Sequence, residues 1–413
     1  MENITRISAP TRDKAASYPD ILVMSRTFQP QEGGIEEYIY SRCLQDPERV
    51  IVLAASCLGD RSFDKVQRFP IYRWPMFNRW RGSYLGSMLQ AFLNIVWSFV
   101  LAIKLYFRYH YRYIEWGHGY HFLSLLLLSY LLPVRCLIYL HGKDVLSLWR
   151  HPVLRPLFEL TLNRVQGIVC SSSFTRDFLT SHFQVNTPTH VIKPGVRGEK
   201  FGVGVTPDDI DDLRARVRTG YRIPETAVVI LSVGQLTKRK GFDRVIENLT
   251  LLLTYGIDVH YIVCGRGPFE AELKSLAHRL RVQGRVHFAG YVSDRELSGY
   301  YAACDIFAML NLCDNSRLPC LSGVGIVCLE AGYFGKPAIA SPWGSARDII
   351  HHEENGILVD PNSGCDVFQA FKRLCQDQKL REKLGRRGKQ LASHKTLYRS
   401  LYIPESHSSC LLT

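Results

Sequence analysis

The chain reads as an α/β protein made of two doubly wound parallel sheets with a cleft between them. Three observations carry that reading. Short apolar, β-branched runs alternate with helical stretches, and they do so in two separate series. A stretch poor in large apolar residues, Arg197–Asp212, divides the series. The 413 residues, 46% apolar and 22% charged, suffice to fill two ordinary cores.

In the first series Ile21–Met24, Val50–Leu53, Cys136–Leu140, Gly167–Cys170 and His190–Ile192 read as buried strands. Ile35–Leu44, Tyr84–Tyr106, Phe122–Leu132 and Phe174–His182 read as the helices between them. The linker runs into a helix near Asp209–Thr219, with acids at the positive end of its dipole. The second series alternates strands at Val228–Val233, His260–Cys264, Val286–Phe288, Asp305–Met309, Ala338–Ala340 and Ile357–Val359 with helices at Phe242–Tyr255, Phe269–Arg281, Asp294–Ala303 and Ile326–Phe334. Residues 364–393 read as two closing helices. The expected domains are 1–200 and 201–390, followed by a tail, 391–413. Ligands of such sheets sit beyond the carboxyl ends of the strands, so the site is expected between the domains.

The formal net charge is +13, which suits a partner bearing phosphates. Residues 1–200 hold 24 basic and 15 acidic side chains, and within 61–112 nine cations face one acid, Asp64. No zinc or thioredoxin-type C-x-x-C pair stands among the twelve cysteines, so free, mostly buried thiols are expected. The first twenty residues show no apolar core of a secretory leader, and a cytoplasmic location is expected. The longest apolar run, Ala91–Ile103, is short of the ~20 residues a spanning helix needs. Arg73, Arg79, Arg81, Lys104, Arg108 and Arg112, with Trp and Tyr neighbours, predict salt-sensitive docking of this segment on anionic lipid.

The strongest local signal is the loop Gly234–Gly241, which carries Lys238, Arg239 and Lys240 directly between a strand and a helix. Free N–H groups, a helix dipole and three cations make a diphosphate cradle there. Gly33 and Gly34 end a loop after the first strand, where glycine lets a backbone approach a ligand. His141 ends the strand Cys136–Leu140 and is followed by Gly142, a cleft position. His118, His121, His351 and His352 are more weakly placed. Gly265-Arg266-Gly267-Pro268 opens like a dinucleotide fingerprint, but Glu270 stands at the third glycine position, against a nicotinamide site. Ser322–Ala331 is a Gly-rich loop running into a helix with one acid, Glu330, among apolar neighbours. A buried acid needs a hydrogen-bonding partner, and paired ribose hydroxyls would serve.

Ten segments then fall in a familiar order: FQPQEGGIEEY, LHGKDV, SSSFTRDFL, VIKPGV, LSVGQLTKRKGFDRVI, VCGRGPFEAEL, VHFAGYVSDREL, YYAACDIFAML, GVGIVCLEAGYFGKPAIAS and NGILVDP. Together they resemble glycosyltransferase family four, the retaining group with the GT-B fold, over about residues 20–390. The resemblance implies transfer of a hexose from a GDP- or UDP-linked sugar to a hydroxyl of a lipid-linked or saccharide acceptor, with retention and without a metal or other cofactor. By position, Gly33 and Gly34 would contact the donor diphosphate, and His141 would lie beside the transferred sugar. Arg239 and Lys240 would hold the diphosphate. Gly290, Tyr291 and Val292 would border the base, Gly325, Ile326 and Val327 would approach sugar and phosphate, and Glu330 would bind the ribose. Two positions depart from the family: Ser322 stands where an acid touches the donor sugar, and Gln235 where Arg follows the glycine of the phosphate loop. They motivate an alternative, a non-catalytic nucleotide-binding relative acting as an assembly or regulatory subunit. No nucleic-acid module is present.

Overall fold

A computed structural model describes residues 19–76, 84–202, 207–313 and 325–393. The first domain holds strands β1 (Ile21–Ser25), β2 (Val50–Ala55), β3 (Ile71–Trp74), β4 (Tyr113–Trp116), β5 (Arg135–Leu140), β6 (Gly167–Cys170) and β7 (Thr189–Val191). They form one parallel sheet in the order β3-β2-β1-β4-β5-β6-β7. Its helices are α1 (Gly34–Cys43), α2 (Asp60–Asp64), α3 (Tyr84–Tyr109), α4 (Phe122–Leu131), α5 (Lys143–Trp149), α6 (Leu154–Arg164) and α7 (Ser173–His182). One sheet face and its helices, including α3, α4, α6 and α7, enclose a core around Ile114, Ile138 and Phe158. The opposite face packs on α1 through Tyr38 and Ile39.

After a 3-10 turn at Gly198–Phe201 and helix α8 (Pro207–Gly220), the second domain begins. Its strands are β8 (Val228–Val233), β9 (Val259–Cys264), β10 (Val286–Gly290), β11 (Ile306–Met309), β12 (Ala338–Ala340) and β13 (Gly356–Leu358). They lie parallel in the order β10-β9-β8-β11-β12-β13. The helices are α9 (Phe242–Thr254), α10 (Glu270–Arg279), α11 (Asp294–Ala303), α12 (Ile326–Tyr333), α13 (Ala346–Ile349), α14 (Gly364–Gln376) and α15 (Gln378–Ala392). In each sheet the strand order reverses once, between β1 and β4 and between β8 and β11. Crevices open at the carboxyl ends of strands flanking such reversals.

Two strands escaped the sequence reading because a charge interrupts each apolar run. In β4, Glu115 is buried and bound by the Arg42 guanidinium at 2.8 and 3.1 Å and by the Tyr139 hydroxyl at 3.1 Å. In β3, Arg73 forms a two-point pair with Asp64. That pair corrects one expectation, since Arg73 is already neutralised and Trp74 is a core residue donating to Asn94 at 3.0 Å. Arg79 and Arg81 lie outside the described residues.

The expectation that no apolar helix is long enough to span a bilayer is also corrected. Gly86–Tyr109 within α3 passes on length and composition, because Gln90 and Lys104, which bounded the apolar run Ala91–Ile103, do not interrupt the helix. Reduced thiols throughout the chain were expected too. Among the described residues nine cysteines are free, but Cys313 is disulfide-bonded.

Candidate active site

The phosphate loop leaves β8 at Gly234, whose N–H donates to the Cys264 carbonyl at 2.9 Å. Lys238–Lys240 form one 3-10 turn, and Gly241 closes it with φ 68° before α9. A side chain on Gly241 would run into the Leu310 carbonyl at the end of β11. Side chains on Gly265 or Gly267 would meet the backbone of Gly234 or Leu236. The second glycine pair thus lets the loop after β9 back the phosphate loop, with Leu236 N–H donating to Arg266 at 3.0 Å. Gln235, Lys238 and Arg239 are exposed, and Lys240 is half-buried. Burial pushes the Lys240 ammonium down to about 8, and Arg239 beside it adds to the drop. Burial also lowers Arg239. Lys240 is thus desolvated without a compensating acid, and Arg239 is exposed beside it, an arrangement suited to an anion.

In the first domain, His141 lies buried just beyond the end of β5. Its Nε2 contacts the Gly117 carbonyl at 2.9 Å. A carbonyl only accepts, so Nε2 carries the proton and Nδ1 is the acceptor. Nδ1 is buried with no protein partner, and the ring sits edge-on to Tyr38 at 5.3 Å. Burial lowers the imidazole's pKa against the opposing pull of Asp144. His141 is therefore a neutral acceptor near neutral pH. Asp144 takes N–H groups from His141, Val145 and Gly119, at 3.1, 2.9 and 2.7 Å, and so ties the β5 loop to the β4 loop.

Gly33 and Gly34 are exposed at the start of α1. The space beside the Gly33 α-carbon is filled by the Glu36 carboxyl, which burial raises above the usual carboxylate range. Gly290 ends β10 with φ 69°. Tyr291 is exposed, donates across the domain boundary to Glu32, and stacks under Arg266 at 5.8 Å. Val292 packs on the second domain's core. Gly325, at φ 68°, caps α12. Ile326 joins the first domain's core cluster, which includes Phe28, Tyr38 and Tyr139. The Val327 carbonyl lies 3.4 Å from the Tyr301 hydroxyl. Ser322 lies outside the described residues.

Glu330 is buried as expected, but its partners are protein groups. Lys200 donates to Oε1 at 2.5 Å and Tyr301 to Oε2 at 2.7 Å. The buried-acid argument for ribose hydroxyls is corrected to that extent: the carboxylate has partners without them. It keeps lone pairs for further donors.

One residue escaped the sequence reading, and two were undervalued by it. Lys200 escaped, although a cation near the linker is the natural partner of a buried acid. His118 and His121, weakly placed by sequence, stand just beyond β4 at the strand-order reversal. His118 Nε2 accepts the Arg26 N–H at 2.9 Å, and Nδ1 of both rings is buried without a partner. Burial lowers them to about 3 and about 4. The signal available was the strand-end motif Gly117–His121.

Two parallel sheets that each reverse their strand order once, with a cationic loop after a strand of the second and a neutral histidine at a strand end of the first, define the GT-B class. Residues 33–200 match "Glycosyltransferase Family 4" and residues 213–391 match "Glycosyl transferases group 1", so the chain belongs to the family-four glycosyltransferases. A relative in Mycobacterium tuberculosis, GDP-mannose-dependent alpha-(1-6)-phosphatidylinositol monomannoside mannosyltransferase, is 30% identical over 256 residues, 62% of this chain. The chain spans 64% of that relative's length. A Corynebacterium glutamicum enzyme, named for the monoacylated form of that acceptor, is 25% identical over 89% of this chain and 92% of its own. Anabaena HepE, solved with UDP and glucose, shares the fold with a TM-score of 0.70 at 20% identity, over 91% of this chain and 95% of its own.

Proposed function

We propose that the chain is a retaining hexosyltransferase that moves a sugar from a nucleotide diphosphate to a hydroxyl of a lipid-linked or saccharide acceptor. The observation that carries this is the acid-free pair on the reversal-point loop, Lys240 desolvated by burial and Arg239 exposed beside it. The names of the mycobacterial and corynebacterial relatives support GDP-mannose as the first donor to test and a lipid glycoside as the acceptor. UDP-glucose is the second, on the HepE complex with UDP and glucose.

In the proposed reaction the bond from the anomeric carbon to the diphosphate oxygen breaks through an oxocarbenium-like transition state. Negative charge gathers on the leaving diphosphate, where Lys240, Arg239 and the N-terminus of α12 stabilise it without a metal. The acceptor oxygen bonds the same face of the carbon, and its proton passes to a diphosphate oxygen. His141 accepts a hydrogen bond from a sugar hydroxyl through Nδ1 and orients the ring. Glu330, held by Lys200 and Tyr301, receives the ribose hydroxyls as further donors. The place of work under this reading is the cytoplasmic face of the cell membrane.

The test incubates the purified chain with GDP-mannose or UDP-glucose, a lipid-glycoside or sugar acceptor, and EDTA. Release of nucleotide diphosphate and an α-linked product by NMR are expected. Nucleotide binding without release from any donor would overturn the transferase reading in favour of an assembly subunit.

A further inference from the structure

The chain passes from one sheet to the other in a short run, Ile192-Lys193-Pro194-Gly195-Val196. Ile192 packs in the first domain's core beside Tyr38, whereas Val196 and Phe201 pack in the second domain's core. Phe201 is buried, and its ring stacks on Tyr333 of α12 at 6.0 Å. A side chain on Gly198 would run into the Tyr333 hydroxyl, so the Gly198–Phe201 turn lies flat against α12. From Val196 onward the segment is seated on the second domain. Lys193, Pro194 and Gly195 are left to absorb a rotation of one domain against the other.

Arg197 stands just beyond that crossing and reaches back over it. Its Nε and one terminal nitrogen donate to the two carboxylate oxygens of Glu37 on α1, at 2.7 and 3.0 Å. The guanidinium lies over the Tyr40 ring at 4.8 Å. A planar two-point fork fixes direction as well as distance. The Arg197 and Glu37 side chains are only 20% and 8% exposed, so either charge without the other is stranded away from water. The contact of Tyr291 with Glu32 also crosses the boundary, but both of its residues are exposed.

Each end of this brace leads to a group with a role in the proposed reaction. On the first domain, Tyr38 follows Glu37. Its ring meets His141 edge-on at 5.3 Å, and its hydroxyl donates to the Ile192 carbonyl at 2.7 Å. The same helix is fastened to β4 through Arg42 and Glu115 at 2.8 Å. On the second domain, the turn after Arg197 carries Lys200, which donates to Glu330 and lies 3.6 Å from Asp294. Glu330 and Lys240 both belong to the second domain, so nucleotide can be held there whatever the angle between the domains. Transfer also needs His141, which belongs to the first.

We propose that the Glu37–Arg197 pair is a positioning brace that sets the angle between the domains and so places His141 against a sugar whose nucleotide the second domain holds. This rests on the transferase reading. Glu37 and Arg197 touch neither donor nor acceptor in it and act through α1 and the crossing segment.

The test compares the full chain with Glu37→Gln, Arg197→Gln and the double variant. It measures calorimetric affinity for GDP and UDP, turnover of GDP-mannose or UDP-glucose with an acceptor, and small-angle X-ray scattering of the ligand-free proteins. Each single variant is expected to keep nucleotide affinity within about twofold and to lose turnover about tenfold or more. Scattering should show a broader spread of interdomain distances in both. Because the two charges act as one unit, the double variant should lose no more than the worse single variant. Affinity and turnover falling together would mark a merely structural pair and overturn the proposal. Single losses that multiply in the double variant, or unchanged scattering in both single variants, also overturn it. A wild type that binds nucleotide without turnover overturns the transferase reading instead, and scattering then decides the brace alone.

Discussion

Replacing Lys240 with methionine is expected to stabilise the ligand-free protein while removing its grip on nucleotide diphosphate. The ammonium drops from 10.5 to about 8, first through burial and then through Arg239. Folding therefore opposes the charge. At 1.36 kcal/mol per decade the penalty is roughly 3 kcal/mol, reduced to about 2 kcal/mol because the side chain keeps contact with water. The unfolded chain holds this proton up to 10.5 and the folded protein only to about 8. The penalty is thus complete below pH 8 and fades as pH rises towards 10.5. Near pH 7 the variant should melt roughly 4–8 °C higher, and above about pH 10.5 the difference should vanish. The same half-buried, acid-free charge is what a diphosphate would neutralise. Losing that contact should cost about 2–4 kcal/mol, or roughly 30- to 800-fold in affinity. Thermal melts at both pH values, with and without GDP and UDP, read all of this at once. A variant that melts lower near neutral pH and keeps its nucleotide-induced shift would show Lys240 to be a structural cation and refute the reasoning.

Glu330→Gln should weaken nucleotide diphosphate binding by calorimetry through loss of about 1.5–3 kcal/mol of charge-assisted bonding, and Lys200→Met should weaken it through the same carboxylate. Should Glu330→Gln leave affinity intact and lower only the melting point, the acid is structural. His141→Asn, which keeps an acceptor but shifts its place, should cut turnover at least about tenfold with nucleotide affinity unchanged; equal loss of both would assign His141 to the nucleotide. His118 and His121 stay neutral in the fold down to about 3 and about 4, while the unfolded chain protonates them from 6.5. Stability should therefore fall as pH drops below 6.5, by up to about 1.4 kcal/mol per pH unit for each ring, and chemical denaturation of His118→Gln/His121→Gln should show a shallower fall.

The second domain was almost wholly legible in the sequence, and the first less so. Strands such as Val228–Val233 are buried on both faces and read as unbroken apolar runs. In the first domain the fold spends buried ion pairs inside strands, and Glu115 and Arg73 hid β4 and β3. Prolines at 152 and 156 likewise masked α6. The phosphate loop was legible because cations between a strand and a helix have a local meaning. The partnership of Lys200 with Glu330 was not, because 130 residues separate them. Glu36 beside Gly33 shows the same limit at short range. The glycine signals that something comes close, and only the fold reveals that it is the chain's own carboxyl.

The contact between Asp348 and helix α7 has a practical consequence. Asp348 belongs to the second domain, yet it accepts the Ser173 N–H at 2.6 Å and the Ser173 hydroxyl, at the first turn of a first-domain helix. Ser172 caps the same turn from within, accepting from Thr175. The amide of Ser173 thus has its acceptor across the cleft, and the amide of Thr175 has its own nearby. If the lobes part, the first proton meets water and the second does not. Deuterium uptake at these two nearby amides forms a built-in ratio gauge of interlobe gape, readable without an attached probe and independent of overall unfolding.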